Sequence, residues 1–110
     1  MAEILSIHEM KLRQQMDLTL LLENERAKLR MLTEDAAFYK GFAEQQGGAA
    51  IILRDMCRDI EDEAHLLHDR VNDALTVGPV EQALLDESRQ TRADLEARLL
   101  RIREAINRKK

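Results

Sequence analysis

Residues 47–79 read GGAAIILRDMCRDIEDEAHLLHDRVNDALTVGP, a helical pattern enclosed by helix-breaking residues at both ends. Apolar side chains recur within it every three or four positions, at Leu53, Met56, Ile60, Ala64, Leu67, Val71 and Ala74. This spacing predicts one amphipathic helix at about residues 49–75, with a single apolar face. Gly47-Gly48 and Gly78-Pro79 are the strong breakers of the chain and divide it into three helices.

The segments on either side of this stretch also have a helical period. A first helix is predicted at about residues 7–46, because Ser6 and Glu9 have the spacing of a capping box. Thr33 is followed by two acidic residues and resembles a second N-cap, which leaves open a break near residue 33. A third helix is predicted at about residues 79–107, beginning at Pro79, a residue suited to the first helical position.

The apolar seam of the third helix has an eleven-residue repeat. Its members are Val80, Leu84, Ser88, Thr91, Leu95, Leu99, Ile102 and Ile106. An eleven-residue repeat favours straight or slightly right-handed packing over a left-handed zipper. Helices of this length are ~40 Å long, so residues 1–110 are predicted to form one elongated all-α domain. The predicted fold is an antiparallel helical hairpin or three-helix coiled-coil-like bundle that is completed by homo-oligomerisation.

The composition of the 110 residues agrees with long helices, with 45% hydrophobic, 35% charged and only 3% aromatic residues. These fractions argue against a β-sandwich, a barrel or a Rossmann-type sheet. The longest charge-free stretch, residues 45–53, is too short to span a membrane, and no secretory signal is visible. With Cys57 as the single cysteine we expect a cytoplasmic protein. The net charge of −4 argues against a protein that mainly coats nucleic acid.

The first helix is apolar on two sides. One stripe contains Ile7, Met10, Leu18, Leu21, Leu29, Leu32, Ala36, Tyr39 and Ala43. The second contains Leu5, Leu12, Met16, Leu20, Ala27, Met31, Phe38 and Phe42, about 160° around the helix. Because a hairpin of the other two helices covers one side, Leu5, Leu12, Met16, Leu20, Ala27 and Met31 are predicted to form a homo-oligomer interface. The alternative is that both stripes pack on the hairpin of the same chain.

Charges are unevenly distributed between the second and third helices. The second has an acidic line at Asp55, Asp59, Asp62, Asp69 and Asp73, and the third ends in Arg98, Arg101, Arg103, Arg108, Lys109 and Lys110. An antiparallel hairpin would place Asp59 near Leu95 and Asp55 near Leu99, so that acidic and basic side chains set the register. Arg98, Arg101, Arg108 and Lys109 are also candidate contacts for a partner or an anionic ligand. The alternative is a solvated helix C-terminus.

Three side chains of the second helix have the spacing of weak metal-ligand candidates: Glu61, His65 and His68. His68-Asp69 resembles the His-Asp dipeptide of metal-dependent phosphohydrolases of the HD superfamily. The resemblance covers two residues, and His8 is badly placed for the upstream histidine that these enzymes need. We therefore expect a solvated polar face, no metal site and no cofactor. Cys57 is expected to be a buried, inert thiol.

The aromatic residues Phe38, Tyr39 and Phe42 lie together near Gly47-Gly48. Phe38 and Phe42 share a helix face, and they either plug one end of the bundle or contact a partner. The sequence has no Gly-rich phosphate loop, Cys-x-x-Cys pair or Gly-x-Ser-x-Gly elbow.

These features predict a non-enzymatic, oligomeric helical module that binds another protein. Adaptors, chaperones, antiactivators and phage-type inhibitors have this architecture, and the prediction rests on architecture alone. The alternative is an oligomeric binder or sponge for an anionic small molecule or nucleic acid, which would contact the basic C-terminal helix.

Overall fold

The computed structural model describes the backbone of residues 2–108 and the side chains of residues 9–108. Within this range the chain forms three helices and no strand: α1 (Ala2–Gln46), α2 (Ala50–Val77) and α3 (Gln82–Arg108). α2 runs antiparallel to α1, and α3 returns beside both. The predicted all-α, elongated bundle is confirmed, with overall dimensions of 71 × 23 × 16 Å.

The turn between α1 and α2 depends on two glycines. Gly47 and Gly48 have φ angles of 65° and 57°, in the left-handed region that residues with a Cβ rarely adopt. The Gly47 N–H donates to the Ala43 carbonyl at 3.3 Å, and the Ala50 N–H donates to the Gly47 carbonyl at 3.2 Å. One helix therefore ends and the next begins within three residues.

The connection between α2 and α3 is anchored to α1 by Gln15. The amide of Gln15 donates to the Val80 carbonyl and accepts from the Val80 N–H, both at 3.2 Å. Because both backbone groups of Val80 are bonded to α1, this residue is held outside the helix. α3 begins at Gln82, three residues after the start that Pro79 suggested.

α1 is continuous through Thr33. The Thr33 hydroxyl donates to the Leu29 carbonyl at 2.8 Å, so it is bonded inside the helix instead of capping a new one. The sequence left open whether the first helix is continuous or broken near residue 33. In the structure it is continuous.

The core consists of two adjacent clusters. The cluster near the Gly47-Gly48 turn contains Leu32, Ala36, Ala43, Ala50, Cys57, Ile60, Ala64, Leu95, Leu99, Ile102 and Ile106. The cluster near the second turn contains Leu22, Leu29, Leu67, Val71, Val80 and Leu85. Two predicted core positions are wrong by one residue, since Leu22 and Leu85 are buried where Leu21 and Leu84 were expected. Cys57 is buried as expected, whereas Met56 beside it, which was predicted to lie in the apolar stripe, is exposed. Each pair lies about 100° apart on its helix, so a small rotation decides which member faces the core.

α1 extends beyond the hairpin. It has 45 residues and α2 has 28, which corresponds to ~67 Å against ~42 Å. Gln15 lies beside the second turn, so the residues before it project past the end of α2 and α3. All side chains from residue 9 to residue 17 are exposed. Over residues 9–14 this overhang therefore packs against no other part of the described chain.

Two neighbouring leucines of α2 test the core assignment. Leu67 is 4% exposed and Leu66 is 65% exposed. We expect Leu67→Ala to lower the free energy of unfolding by about 2–5 kcal/mol, because it leaves a cavity in the core. Leu66→Ala should change it by less than about 0.5 kcal/mol. Urea unfolding at one fixed protein concentration measures both, and similar losses in the two variants would contradict the assignment.

Candidate interaction surface

The second apolar stripe of α1 lies on the side of the helix opposite the core. Leu12, Met16, Leu20, Met31 and Phe38 are each between 52% and 66% exposed, and Ala27 between them is exposed too. We call these six residues the outer face of α1. The alternative in which both stripes pack on the same chain's hairpin is excluded for these residues.

Two residues of the predicted stripe do not belong to the outer face as described. Phe42 is half-buried and packs against the core cluster near the Gly47-Gly48 turn. The side chain of Leu5 lies outside the described residues.

The outer face is bordered by two shallow apolar depressions. One lies along the N-terminal half of α1 and is lined by Leu12, Gln15, Met16, Thr19 and Leu20. The other is a groove between α1 and α3, lined by Met31, Leu32, Leu99 and Leu100, with Lys28, Asp35, Glu96 and Arg103 around it. Met31 takes part in both the outer face and this groove. The apolar surface therefore continues from α1 towards α3.

The aromatic residues have separate roles. Phe38 is exposed and meets Tyr39 edge-on, with 5.1 Å between the ring centroids. The Arg103 guanidinium lies 5.1 Å from the centroid of the Tyr39 ring, an arrangement typical of a cation–π contact. Phe42 packs against the core at the same end of the bundle. Phe38 and Phe42 were predicted to act as one pair. In the structure Phe42 packs against the core, whereas Phe38 lies on the exposed surface.

A buried ion pair joins α1 to α3. Glu25 is only 2% exposed, and it accepts two hydrogen bonds from Arg92, at 2.7 Å from Nε and 2.9 Å from Nη2. Arg92 Nη1 also donates to Glu96 at 2.8 Å. These bonds, the one to Glu25 above all, raise the pKa of the Arg92 guanidinium. The Arg92 guanidinium therefore keeps its charge beside Glu25, and the two hydrogen bonds fix how α3 is aligned along α1.

This ion pair was not predicted from the sequence. The available signal was that Glu25 has the same helical phase as the core residues Leu22, Leu29 and Leu32, so that a carboxylate interrupts an apolar stripe. A charged residue in a buried stripe requires a partner from a neighbouring helix.

The three weak metal-ligand candidates are not brought together. The Glu61 carboxylate lies 2.8 Å from Lys40 Nζ, and the hydrogen bond between them raises the pKa of Lys40. His65 Nε2 and His68 Nδ1 lie 3.5 Å and 3.7 Å from the Asp69 carboxylate. His68 Nε2 is buried and without a hydrogen-bond partner, whereas His65 is exposed. Within the part of the chain that the structure describes, no three His, Cys, Asp or Glu side chains are arranged to hold a metal ion.

Cys57 is fully buried between α2 and its neighbours. Burial raises the pKa of its thiol to about 11, and the nearby Glu61 carboxylate adds to the shift. The thiol therefore stays protonated at neutral pH, where a nucleophile requires the thiolate.

The charges of α2 and α3 pair differently from the prediction. The Glu63 carboxylate accepts a hydrogen bond from Arg98 at 3.2 Å. Arg70 and Glu87 form a bidentate ion pair with two hydrogen bonds. The predicted register, with Asp59 beside Leu95, is wrong by about one helical turn, because the connection between the helices extends to residue 81. Asp55 contacts Arg54 and Arg58 of its own helix instead of residues of α3. Asp69 likewise contacts His65 and His68 of α2.

The basic end of α3 is only partly available to a ligand. Arg98 is bonded to Glu63 and Arg103 is stacked on Tyr39, whereas Arg101 and Arg108 are exposed. Lys109 lies outside the described residues.

A second exposed apolar patch lies at the beginning of α2. Ile52 is 67% exposed and Met56 is 45% exposed. With Glu63 beside Arg98, the antiparallel register places Met56 beside the last turn of α3 and Ile52 near its end, and Arg101 and Arg108 lie on the same part of α3. We call Ile52, Met56, Arg101 and Arg108 the end patch.

Comparison of the chain with protein-family models, with curated proteins and with solved structures finds no match. Over the described residues, no helix combines the length and the apolar character that a membrane span requires. The fold and the two exposed surfaces therefore carry the functional inference.

The buried ion pair can be tested against an exposed one. Glu25→Ala leaves Arg92 without its main partner in a largely buried position, so we expect a loss of roughly 3 kcal/mol in the free energy of unfolding. Glu63→Ala removes an exposed partner of Arg98 and should cost less than about 1 kcal/mol. Replacing both buried partners, as Glu25→Leu with Arg92→Leu, should recover most of the first loss. Equal losses for Glu25→Ala and Glu63→Ala in urea unfolding would show that burial does not matter here.

Proposed function

We propose that the protein is a non-enzymatic helical protein-binding module that assembles with copies of itself through α1 and binds another protein through its exposed apolar surface. Modules of this kind include adaptors, chaperones, antiactivators and phage-type inhibitors. The observation that carries the proposal is the outer face of α1, six apolar residues on the side of the helix that its own chain leaves uncovered. Exposed apolar residues grouped on one helix face, beyond single scattered ones, mark interaction sites.

The reactive groups of the described chain support a binding role. The Cys57 thiol is buried with a pKa of about 11, and the Glu61 carboxylate is held by Lys40. Arg92 and Glu25 neutralise each other at the α1–α3 contact. These side chains are used to hold the fold together, whereas the large exposed features are apolar.

The end patch supports binding of a second protein. Ile52 and Met56 offer apolar contact, and the exposed guanidinium groups of Arg101 and Arg108 favour acidic residues at the rim of a partner. An amphipathic segment with acidic side chains along its edge has the matching chemistry. The end patch lies away from the middle of α1, so both surfaces can be occupied in one assembly.

Self-association is tested by the molar mass in solution. Size-exclusion chromatography with light scattering should give a mass above the 12.7 kDa of one chain at micromolar concentration. Leu20→Glu places a charge in the middle of the outer face and should shift the mass to that of the monomer. Leu66→Glu is the matched control, since Leu66 is equally exposed but lies on α2. A monomeric wild-type protein would contradict assembly through α1.

Partner binding is tested by capture from an extract of the natural host. The wild-type protein should retain a partner in stoichiometric amounts. Ile52→Asp should reduce that amount at least tenfold, because it places a charge in the apolar part of the end patch. Val77→Asp is the control at the opposite end of α2, where Val77 is 82% exposed. Equal recovery with both variants would show that the end patch is not the binding surface.

A further inference from the structure

We propose that the occupant of the outer face of α1 is a second copy of this chain, lying antiparallel so that the two α1 helices overlap along their whole length. The inference rests on the proposed function and specifies both the partner and its orientation. Three observations carry it: the positions of the apolar residues, the charges on both edges of the outer face, and the extent of the surface.

The apolar residues match each other when α1 is reversed about its midpoint. α1 spans residues 2–46, so its midpoint is at Asn24. In the reversed copy, Met16 comes level with the partner's Met31 and Leu20 with the partner's Ala27, each to within about 2 Å along the axis. Leu12 comes level with the partner's Phe38 to within about 3 Å. Each outer-face residue of one half of α1 therefore meets an outer-face residue of the other half.

The antiparallel arrangement also covers the overhang of α1. Residues 9–14 extend past the hairpin of their own chain with all their side chains exposed. In the full overlap they lie along the C-terminal half of the partner's α1, next to the partner's Phe38. One interface therefore covers both the overhang and the most exposed aromatic ring.

The charges on one edge of the outer face are complementary in this orientation. Arg13, Asp17, Lys28 and Asp35 are exposed along the edge that faces α3, where Lys28 and Asp35 also border the groove. In an antiparallel pair each edge meets the same edge of the partner. Arg13 then comes level with the partner's Asp35, and Asp17 lies within about 5 Å along the axis of the partner's Lys28. Both pairings join opposite charges.

The charges on the other edge favour the antiparallel orientation over the parallel one. This edge faces α2, since Arg26 donates to Asn72 at 2.9 Å, and it also carries Glu23 and Arg30. In the antiparallel pair Glu23 is level with the partner's Arg26 to within about 2 Å along the axis, which offsets the like charge of the partner's Glu23 about 3 Å away. In a parallel pair opposite edges meet, and Lys28 would lie between Arg26 and Arg30 of the partner subunit. The parallel pair therefore brings like charges together, which is destabilising.

The extent of the surface is adequate for a stable dimer. A helix of 45 residues is ~67 Å long and ~10 Å wide, so one face offers roughly 700 Å² per copy. Stable protein interfaces bury about 800 Å² per partner. An overlap of half this length would offer about half the area, which favours the full overlap.

Spin labels on the full-length chain measure the orientation. Two variants are made in a Cys57→Ala background, so that each has a single cysteine for labelling: Lys11→Cys and Asn24→Cys. Lys11 is exposed and has a helical phase opposite the outer face, so its label does not enter the interface. Distances are measured by double electron–electron resonance and, below about 20 Å, by line broadening; the interaxial distance alone contributes about 10 Å.

The antiparallel pair predicts different distances for the two labels. The label at the midpoint, on residue 24, should lie within about 20 Å of its copy. The labels on residue 11 should be separated by at least about 39 Å, because 26 residues of helical rise lie between them. This combination supports the proposal.

The other outcomes overturn the proposal in distinguishable ways. Labels on residue 11 that lie within about 30 Å, together with a short distance at residue 24, indicate a parallel pair, for which only the orientation is wrong. A long distance at residue 24 shows that the outer face is not the contact between copies. A labelled protein that is monomeric by light scattering overturns both this inference and the assembly part of the proposed function.

Discussion

The structure depends on the mismatch between α1 and the hairpin that covers it. α1 is half again as long as α2 or α3 and is apolar on two opposite sides, whereas the hairpin packs on one side and over part of the length. A helix on the surface of a complete globular domain has one apolar stripe and a polar opposite side. The uncovered apolar side of α1 is therefore the feature of this fold on which the proposed assembly rests.

Two polar contacts determine which part of α1 is covered. Gln15 binds both backbone groups of Val80 and fixes where the hairpin ends along α1, and Glu25 binds Arg92 and fixes α3 two to three turns further on. Apolar packing alone specifies such an alignment weakly, because neighbouring residues such as Met56 and Cys57 compete for the same core position. The buried ion pair contributes specificity of alignment, since any sliding of α3 would leave Glu25 buried without a partner.

The sequence was sufficient for the three helices, for the Gly47-Gly48 turn and for the two apolar sides of α1, because these follow from local backbone preference and periodicity. It was insufficient wherever two helices had to be aligned. The Asp59 pairing was misplaced because the connection through Val80 is held by Gln15, 65 positions away in the chain. Glu25 was overlooked for a related reason: its burial is explained only by Arg92 on another helix.

The same contacts link the fold of one chain to its proposed assembly. The second turn of the hairpin lies beside Gln15, so residues 9–14 project past it with exposed side chains, and it is this overhang that a reversed copy can cover. If the hairpin reached the beginning of α1, it would cover the edge of α1 that carries Arg13. Arg13 could then not contact the partner's Asp35. The length of α2, whose far end is held to Gln15 through Val80, thus sets both the boundary of the chain's own core and the length of α1 that remains for a second copy.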